Sequence, residues 1–283
     1  MLAFNYQRSK SDFVFSLRYH AQMNLPYPPL IIVGANGFLG KNLSNYASDF
    51  TVVHSLESNE FDLPRNLQKS SVFVYLRAIS SPTYVQANPI ISNKINIENS
   101  HKFLNEALKK GHKVIFASSD IIYGHSEIKV FSENDEVNPW GLYAKQKNFI
   151  EKTFAGHENF LSLRLSLVTG EGSKLEKILQ VESPSKITKG IVRNPVHITF
   201  FLKTIRTLST LDSFQEHFPT NSLNIGGNKP IEIFDLASNI ARRKGFSMPV
   251  AVQRELVDYD ARPSITRINS RVAEDLVGIQ FTA

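Results

Sequence analysis

Short, continuously apolar runs alternate with segments of helical periodicity along most of this 283-residue chain. Such runs are typical of strands that a sheet buries on both faces. The predicted strands are LIIV at 30–33, TVVHSL at 51–56, SVFVYLRAI at 71–79, KVIFASS at 113–119, FLSLRLSLV at 160–168 and NSLNIGG at 221–227. Helices are predicted at 41–50, 96–111, 143–154 and 231–245. Strands that alternate with helices pair in parallel through crossovers, so the pattern predicts an α/β fold.

The first apolar run leads into a glycine-rich loop and then into a predicted helix. Glycine permits a tight turn and a close backbone approach to a pyrophosphate, which the free N–H groups of the following helix attract. This strand, turn and helix order is the context that a dinucleotide-binding loop requires. The sequence therefore predicts a Rossmann-type doubly wound parallel sheet that binds NAD or NADP. The predicted contacts in the loop are Gly34, Asn36, Gly37, Phe38, Leu39 and Gly40.

The choice between NAD and NADP depends on residues about 20 positions further on, where an acidic side chain would hold the adenosine ribose and a basic one the extra phosphate. Glu57 follows the second predicted strand and is either the ribose ligand or a solvated loop charge. Asp62 either flanks the adenine or forms a turn. No basic residue lies between Lys41 and Arg65. The cofactor form stays undetermined.

Composition narrows the class of protein. With 42% hydrophobic residues the chain can bury a large core. No apolar run approaches the roughly 18 to 20 residues that cross a bilayer. The net charge is +6, but the densest basic cluster, RRK at 242–244, lies at a predicted helix end, where cations favour the helix dipole. We therefore expect no nucleic-acid or membrane partner. The absence of cysteine excludes disulfides and thiolate metal sites and is compatible with the cytoplasm.

A tyrosine is followed four residues later by a lysine twice in the chain, at Tyr143 and Lys147 and again at Tyr6 and Lys10. The spacing alone therefore does not identify a site. The second pair lies in an N-terminal extension, 1–29, which ends in the stiff LPYPP and precedes every predicted cofactor element. A transit peptide, a docking arm or a start at Met23 would each explain this extension.

Several motifs occur in an order that resembles the extended short-chain dehydrogenase/reductase family, also described as NAD-dependent epimerase/dehydratase proteins. The motifs are GANGFLG, LRAISSP, NIENSHKFLNEA, VIFASSDIIYG, NPWGLYAKQK and LSLRLSLVTG. The resemblance continues from PVHITFFLKTI to the C-terminus. It implies an enzyme that exchanges hydride between NAD(P) and a nucleotide-linked sugar.

The resemblance also implies residue roles. Tyr143 matches the catalytic tyrosine, Lys147 its lysine, and Ser119 the serine 24 positions before the tyrosine. A tyrosine of pKa about 10 is a weak base, but a nearby ammonium would lower that value. Lys147 would also hold the nicotinamide ribose, and Asn96 either lies near the nicotinamide or starts a helix. Further cofactor contacts are expected at Leu76, Arg77 and Ala78, and substrate contacts at Ser80, Ser118, Ser119, Asp120 and Arg262.

Departures from the family pattern favour one chemistry over others. Sugar-nucleotide 4,6-dehydratases carry an adjacent Asp-Glu pair, whereas this chain has Asp120 followed by Ile121. Epimerisation of the GDP-fucose synthase type uses a cysteine, which is absent here. The SSD motif at 118–120 is similar to the Thr-Asp of dTDP-4-dehydrorhamnose reductases. Reduction of a 4-keto-6-deoxy sugar is therefore expected. A 4-epimerase and a catalytically idle NAD(P)-binding regulatory protein remain the alternatives.

Three side chains have competing explanations. Arg77 replaces the alanine that the family usually has beside the cofactor, and it contacts either the cofactor phosphates or a carboxylate. Arg262 matches a position at which family members often bind the substrate diphosphate, although the acidic residue that usually follows is missing. His197 matches a position between the nucleotide and the substrate, but a lone histidine is more often structural.

The domain plan follows from the same motifs. Residues 30–170, with 190–226, would form the Rossmann core, and residues 171–189 and 227–283 a small C-terminal substrate lobe. Ligands should bind between them, at the carboxyl ends of the strands. No metal is expected, and a homodimer is compatible with the family.

Overall fold

The computed structural model describes residues 27–49, 51, 53–56, 63–64, 67, 71–181 and 183–282. The strands are β1 Leu30–Val33, β2 Val53–Leu56, β3 Val72–Tyr75, β4 Lys113–Ser119, β5 Phe160–Leu165, β6 Val168–Thr169, β7 Lys186–Thr188, β8 Val192–Arg193, β9 Val196–His197, β10 Ser222–Ile225, β11 Ile231–Glu232 and β12 Val250–Val252. The α-helices are α1 Phe38–Ala47, α2 Pro82–Ala87, α3 Pro89–Asn93, α4 Ser100–Lys109, α5 Leu142–Phe154, α6 Lys174–Val181, α7 Ile198–Ser209, α8 Phe214–His217, α9 Ile233–Lys244, α10 Leu256–Ala261 and α11 Arg271–Val277. A π-helical segment, Lys94–Asn99, precedes α4, and a 3₁₀ turn, Asp120–Tyr123, follows β4.

Six parallel strands form the central sheet in the order β10-β5-β4-β3-β1-β2. The chain reverses its direction of winding between β1 and β3, because β2 adds on one side of β1 and β3 on the other. The crevice at the carboxyl ends of the strands beside such a switch point is where open α/β sheets bind ligands. The predicted Rossmann-type doubly wound sheet is confirmed.

Apolar side chains pack on both faces of this sheet because its strands are buried on both sides. Leu30 and Ile32 face a cluster that includes Phe201 of α7, whereas Ile31 and Val33 face a cluster that includes Phe103 of α4. Helices therefore cover the two faces, as the alternation of the sequence predicts.

The lobe beside the sheet is built from small paired strands and two helices. β7 pairs with β12 in parallel and β8 with β11 antiparallel, and a separate apolar cluster joins α6 to α9. The last helix, α11, contributes Ala273 to the main core, and Phe281 is buried there too, although the domain plan assigned both to the lobe. No helix among the described residues is long and apolar enough to span a membrane.

Candidate functional site

The glycine loop between β1 and α1 has the geometry of a phosphate cradle. Gly34 has φ +92°, and a Cβ there would lie 3.0 Å from the Arg77 backbone nitrogen, so only glycine fits the turn. A Cβ on Gly40 would lie 2.4 Å from the Gly34 carbonyl oxygen, so glycine also lets α1 pack against the loop. Gly37 is the N-cap of α1, and it has no side chain that could accept a hydrogen bond from the first turn of the helix. The first N–H groups of the helix have no intrahelical acceptors and suit an anion.

A cavity of about 570 Å³ extends from this loop, across the ends of the central strands, to the lobe. It falls within the range of small-molecule sites in proteins. The structure brings most of the residues expected at the site into its lining: Gly34, Gly37, Phe38, Leu39, Gly40, Leu76, Ala78, Ser80, Ser118, Ser119, Asp120, Tyr143, Lys147 and Arg262.

Tyr143 and Lys147 lie on one face of α5, where an i, i+4 spacing places side chains side by side. The Lys147 ammonium donates a hydrogen bond of 2.6 Å to the Ala117 carbonyl oxygen. It also lies 4.5 Å from the centroid of the Phe116 ring and 5.7 Å from that of Tyr143. Burial lowers the pKa of Lys147 to about 7, and the charge of the Glu151 carboxylate partly opposes this shift.

The tyrosine pKa differs from the sequence-based expectation. Burial raises the pKa of Tyr143 above its ordinary value, and the Asp120 carboxylate raises it further. The expected lowering by Lys147 is absent because burial makes the charged form of that lysine costly as well. The phenol of Tyr143 is therefore protonated at neutral pH.

Ser119 and Asp120 lie where β4 passes into the 3₁₀ turn. The Ser119 hydroxyl donates to Asp120 Oδ1 at 3.3 Å. Asp120 Oδ2 lies 3.9 Å from Arg193 Nε, and both side chains are buried. Burial lowers the pKa of Arg193 to about 10, while the Asp120 carboxylate acts in the opposite direction. Arg193 lines the cavity, and the sequence analysis missed it; its one signal is a lone arginine within the apolar stretch GIVRNPV.

Cations dominate the lobe side of the cavity. Its lining there includes Lys174, Lys186, Arg193 and Arg262, of which only Arg262 was predicted. Arg262 already pairs with Asp258 through two contacts of 2.8 and 3.0 Å. Burial, followed by the charge of Arg262, lowers the pKa of Lys174. This side of the cavity therefore suits an anionic group.

Some residues expected at the cofactor are placed outside the cavity lining. Asn36 is exposed on the loop. The Arg77 side chain is buried and interacts with the Tyr75 phenol. Asn96 lies inside the π-helical segment and not at a helix start; its amide accepts from the Ile79 N–H at 2.8 Å and donates to the Ile79 carbonyl oxygen at 3.0 Å. Asn96 thus fixes the chain just beyond the cavity wall.

Other sequence-based assignments lie elsewhere. Glu57, Asp62 and the pair Tyr6 and Lys10 lie outside the described residues. His197 caps α7, where its ring accepts from the Thr199 N–H at 3.4 Å. This is the structural role that the sequence analysis favoured.

Comparison with known proteins places the fold and the family. The family described as RmlD substrate binding domain matches residues 29–282. Among curated proteins, methionine adenosyltransferase 2 subunit beta from Bos taurus is 24% identical over 265 residues, which cover 84% of this chain and 78% of that protein. The same subunit from Rattus norvegicus matches at the same identity and coverage.

Solved structures share the fold at low sequence identity. MoeE5 in complex with UDP-glucose and NAD superposes with a TM-score of 0.73 at 16% identity, over 90% of this chain and 94% of the other. The dTDP-4-dehydrorhamnose reductase from Bacillus anthracis, in complex with NADP, gives 0.71 at 14% identity, over 90% and 95%. UDP-glucose 4-epimerase from Thermotoga maritima gives 0.70 at 19%, over 89% and 93%. Because the family model spans nearly all of the sequence, the chain belongs to the RmlD substrate-binding-domain family, within the extended short-chain dehydrogenase/reductase fold.

Proposed function

We propose that this protein is an NAD(P)-dependent oxidoreductase that reduces the 4-keto group of a nucleotide-linked sugar. The observation that carries the proposal is a single cavity with three parts in order. A glycine loop lies at one end, Ser119, Tyr143 and Lys147 lie in the middle, and a cationic lobe lies at the other end. A protein that only binds NAD(P) and catalyses no reaction would not require all three parts.

The residues present fit a dinucleotide. The loop leaves no room for a Cβ on Gly34 or Gly40, and the start of α1 offers N–H groups without acceptors. Gly37, Leu39 and Leu76 would line the dinucleotide site. The bound nicotinamide supplies the hydride. Lys147, whose ammonium donates one hydrogen bond to the Ala117 carbonyl oxygen, has further N–H groups with which it would hold the nicotinamide ribose.

Tyr143 is the proton donor in this scheme. Reduction of a ketone leaves negative charge on the substrate oxygen, and a buried phenol that has kept its proton can transfer it there. The Ser119 hydroxyl would donate a hydrogen bond to the same oxygen and hold the carbonyl in place. Because Tyr143 holds its proton at neutral pH, it carries the proton that the reducing direction requires.

The cationic lobe supports a substrate that carries phosphates. Among the described residues that line the cavity, Asp120 is the one carboxylate, against Lys147, Lys174, Lys186, Arg193 and Arg262. Asp120 and Asp258 offset Arg193 and Arg262 respectively. The two lysines of the lobe therefore supply the positive charge that a nucleoside diphosphate requires.

The test combines binding and turnover. NADH and NADPH are titrated into the protein by fluorescence, and oxidation of the bound form is followed with dTDP- and UDP-linked 4-keto-6-deoxyglucose. Tyr143→Phe, which keeps the ring, should lower kcat roughly 100- to 10,000-fold while the cofactor still binds. Undiminished turnover in this variant would refute the role of Tyr143. Absence of binding by either cofactor would refute the role of the glycine loop.

Two other functions have specific support. The fold is shared with a UDP-glucose 4-epimerase, and epimerisation would appear as conversion of UDP-glucose to UDP-galactose with NAD and no net oxidation. The curated relatives are named as a subunit of methionine adenosyltransferase 2, which supports an accessory role in a larger enzyme. An accessory protein would bind NAD(P) yet show no turnover that Tyr143→Phe abolishes.

A further inference from the structure

A buried carboxylate, Asp258 of α10, joins three segments of the chain beside the cavity. Its side chain lies outside the cavity lining and is largely shielded from solvent. Its oxygens accept from Arg262 Nε at 2.8 Å and Nη2 at 3.0 Å, and Oδ1 also accepts from the Thr83 hydroxyl of α2 at 3.1 Å. Arg254 Nε lies 3.4 Å from Oδ2. Because both oxygens have partners, the carboxylate is held in one orientation.

The pair with Asp258 fixes one edge of the Arg262 guanidinium and leaves a donor on the other. Asp258 occupies Nε and Nη2, whereas Nη1 makes no hydrogen bond to any residue that the structure describes. Arg262 lines the cavity, and its side chain is 24% exposed, so a ligand there can reach it. The carboxylate offsets the charge of Arg262 but aims its remaining N–H groups, so Arg262 would give an anion a directed hydrogen bond.

The Thr83 hydroxyl connects this ion pair to the helix that carries Tyr143. Thr83 lies on the short helix α2 together with Gln86, whose side-chain oxygen accepts from the Leu142 N–H at 3.1 Å. Leu142 is the first residue of α5 and directly precedes Tyr143. An N–H group in the first turn of a helix has no intrahelical acceptor, so Gln86 supplies one and fixes the start of α5.

A second contact joins α10 to α5 directly. Gly141, the N-cap of α5, has φ +80°, and an added Cβ would overlap the carbonyl oxygen of Ala261, the residue before Arg262. The positive φ and the close approach both require glycine. The backbone that carries Arg262 therefore packs against the backbone that carries Tyr143.

We propose that Asp258 is a positioning residue of the reductase, which aims Arg262 at an anionic group of the substrate. Through Thr83 and α2 it also fixes that group relative to Tyr143. The inference rests on the proposed function and adds to it a residue that acts on the substrate only through its neighbours. The effect of losing the carboxylate should therefore vanish where Arg262 is already absent.

The test compares binding with turnover in matched variants. Calorimetry on the full-length protein, saturated with NAD or NADP, measures the binding of dTDP and of UDP, and kinetics with the matching 4-keto-6-deoxyglucose nucleotide gives kcat. Asp258→Asn should weaken binding of the nucleoside diphosphate roughly 10-fold, because Arg262 loses its orientation. Removal of a negative charge alone would instead strengthen the binding of an anion. Asp260→Asn, which changes an exposed carboxylate on the same helix, is the control and should alter neither quantity.

A double variant tests whether Asp258 acts through Arg262. Arg262→Met should also weaken binding roughly 10-fold, and Asp258→Asn added to it should weaken binding by less than about a further twofold. Losses that multiply to roughly 100-fold would overturn the inference, since they would show that Asp258 acts independently of Arg262.

Variants of Thr83 test the link to α5. Thr83→Val should keep the affinity within about twofold of wild type and lower kcat roughly 3- to 10-fold, whereas Thr83→Ser, which keeps the hydroxyl, should restore kcat. An unchanged kcat in Thr83→Val would overturn the inference, and this variant decides the matter should Asp258→Asn fail to fold. If the wild-type protein binds neither dTDP nor UDP, the proposed function falls and the inference falls with it. If it binds one of them and Asp258→Asn binds it as tightly or more tightly, the inference alone falls.

Discussion

Substitution of Gly40 by alanine tests how closely α1 approaches the glycine loop. The added Cβ would lie 2.4 Å from the Gly34 carbonyl oxygen and 2.6 Å from Ala35 Cα. Both atoms belong to the backbone, so no side chain can rotate away and the helix must shift. Forced overpacking of this kind costs about 1–3 kcal/mol. Because the added Cβ would lie under 3.0 Å from three backbone atoms, the cost falls in the upper part of this range, about 2–3 kcal/mol. The helix preference of alanine over glycine recovers about 1 kcal/mol, which leaves a net loss of about 1–2 kcal/mol.

The neighbouring Gly37 is a control within the same motif. Its nearest atom to an added Cβ is the Gly34 oxygen at 3.5 Å, an ordinary contact, and its φ of −74° suits any residue. Gly37→Ala should therefore meet no backbone clash and should lose only the smaller amount that alanine costs at an N-cap. Gly37 lines the cavity, however, so its added methyl should still weaken NAD(P) binding.

Thermal denaturation without cofactor separates the two effects. A loss of about 1–2 kcal/mol corresponds to a fall in Tm of about 2–8 °C for a domain of this size. Gly40→Ala should show this fall, whereas Gly37→Ala should lose only the stability that alanine costs relative to glycine at an N-cap, about 0.5 kcal/mol. A titration with NADH and NADPH then measures the affinity of each variant. An unchanged Tm for Gly40→Ala, or equal losses of stability in both variants, would refute the argument from close packing.

Other variants test the electrostatics and packing around the site. Burial lowers the pKa of Lys147 to about 7, whereas the pKa of an ordinary lysine is about 10.4. Between these two pH values the unfolded chain binds more protons than the folded protein. The free-energy cost of burying this lysine therefore shrinks as the pH rises. The Tm of Lys147→Met relative to wild type should therefore be most favourable at pH 6 and decline towards pH 9, whereas the exposed Lys145→Met should give a flat difference. Glu151→Ala should cost about 3–5 kcal/mol in urea denaturation because it leaves Arg164 buried without its carboxylate, and Glu151→Leu combined with Arg164→Met should recover most of that loss. Asn96→Ala should cost about 1–3 kcal/mol and speed hydrogen exchange at the Ile79 amide that it releases; unchanged exchange there would contradict the role of Asn96 as a clamp.

The sheet was predictable because its information is local. Each of the six strands of the central sheet falls within a run predicted from the sequence, β1 to β5 and then β10 at 221–227. The pairing of β10 with β5 brings together segments about 60 residues apart in the chain, so periodicity alone does not determine it. The position of Phe281 in the core has the same origin, because a C-terminal residue finds its neighbours only after the chain has folded.

The site shows the same division between local and distant information. The glycine loop and the α5 pair are fixed by spacings of a few residues. Arg193 was missed because its partner Asp120 is 73 positions away in the sequence, and nothing in GIVRNPV marks the cavity. For Arg77 a local rule could have corrected the expectation that Leu76, Arg77 and Ala78 all contact the cofactor. Leu76 and Ala78 line the cavity, and side chains alternate along an extended chain, so the residue between them points to the opposite side.

Burial determines the protonation states of Tyr143 and Lys147 in the site. Tyr143 keeps its proton because its phenolate would be desolvated beside Asp120, and Lys147 is only partly charged near neutral pH for the same reason. A ligand that brings polar groups to Lys147 would favour its ammonium form, and that charge would in turn ease the loss of the Tyr143 proton. The acid would thus become competent only when the cavity is filled. The pH dependence of kcat should therefore reflect a lower tyrosine pKa than the ligand-free protein has, which a direct titration of Tyr143 in both states would measure.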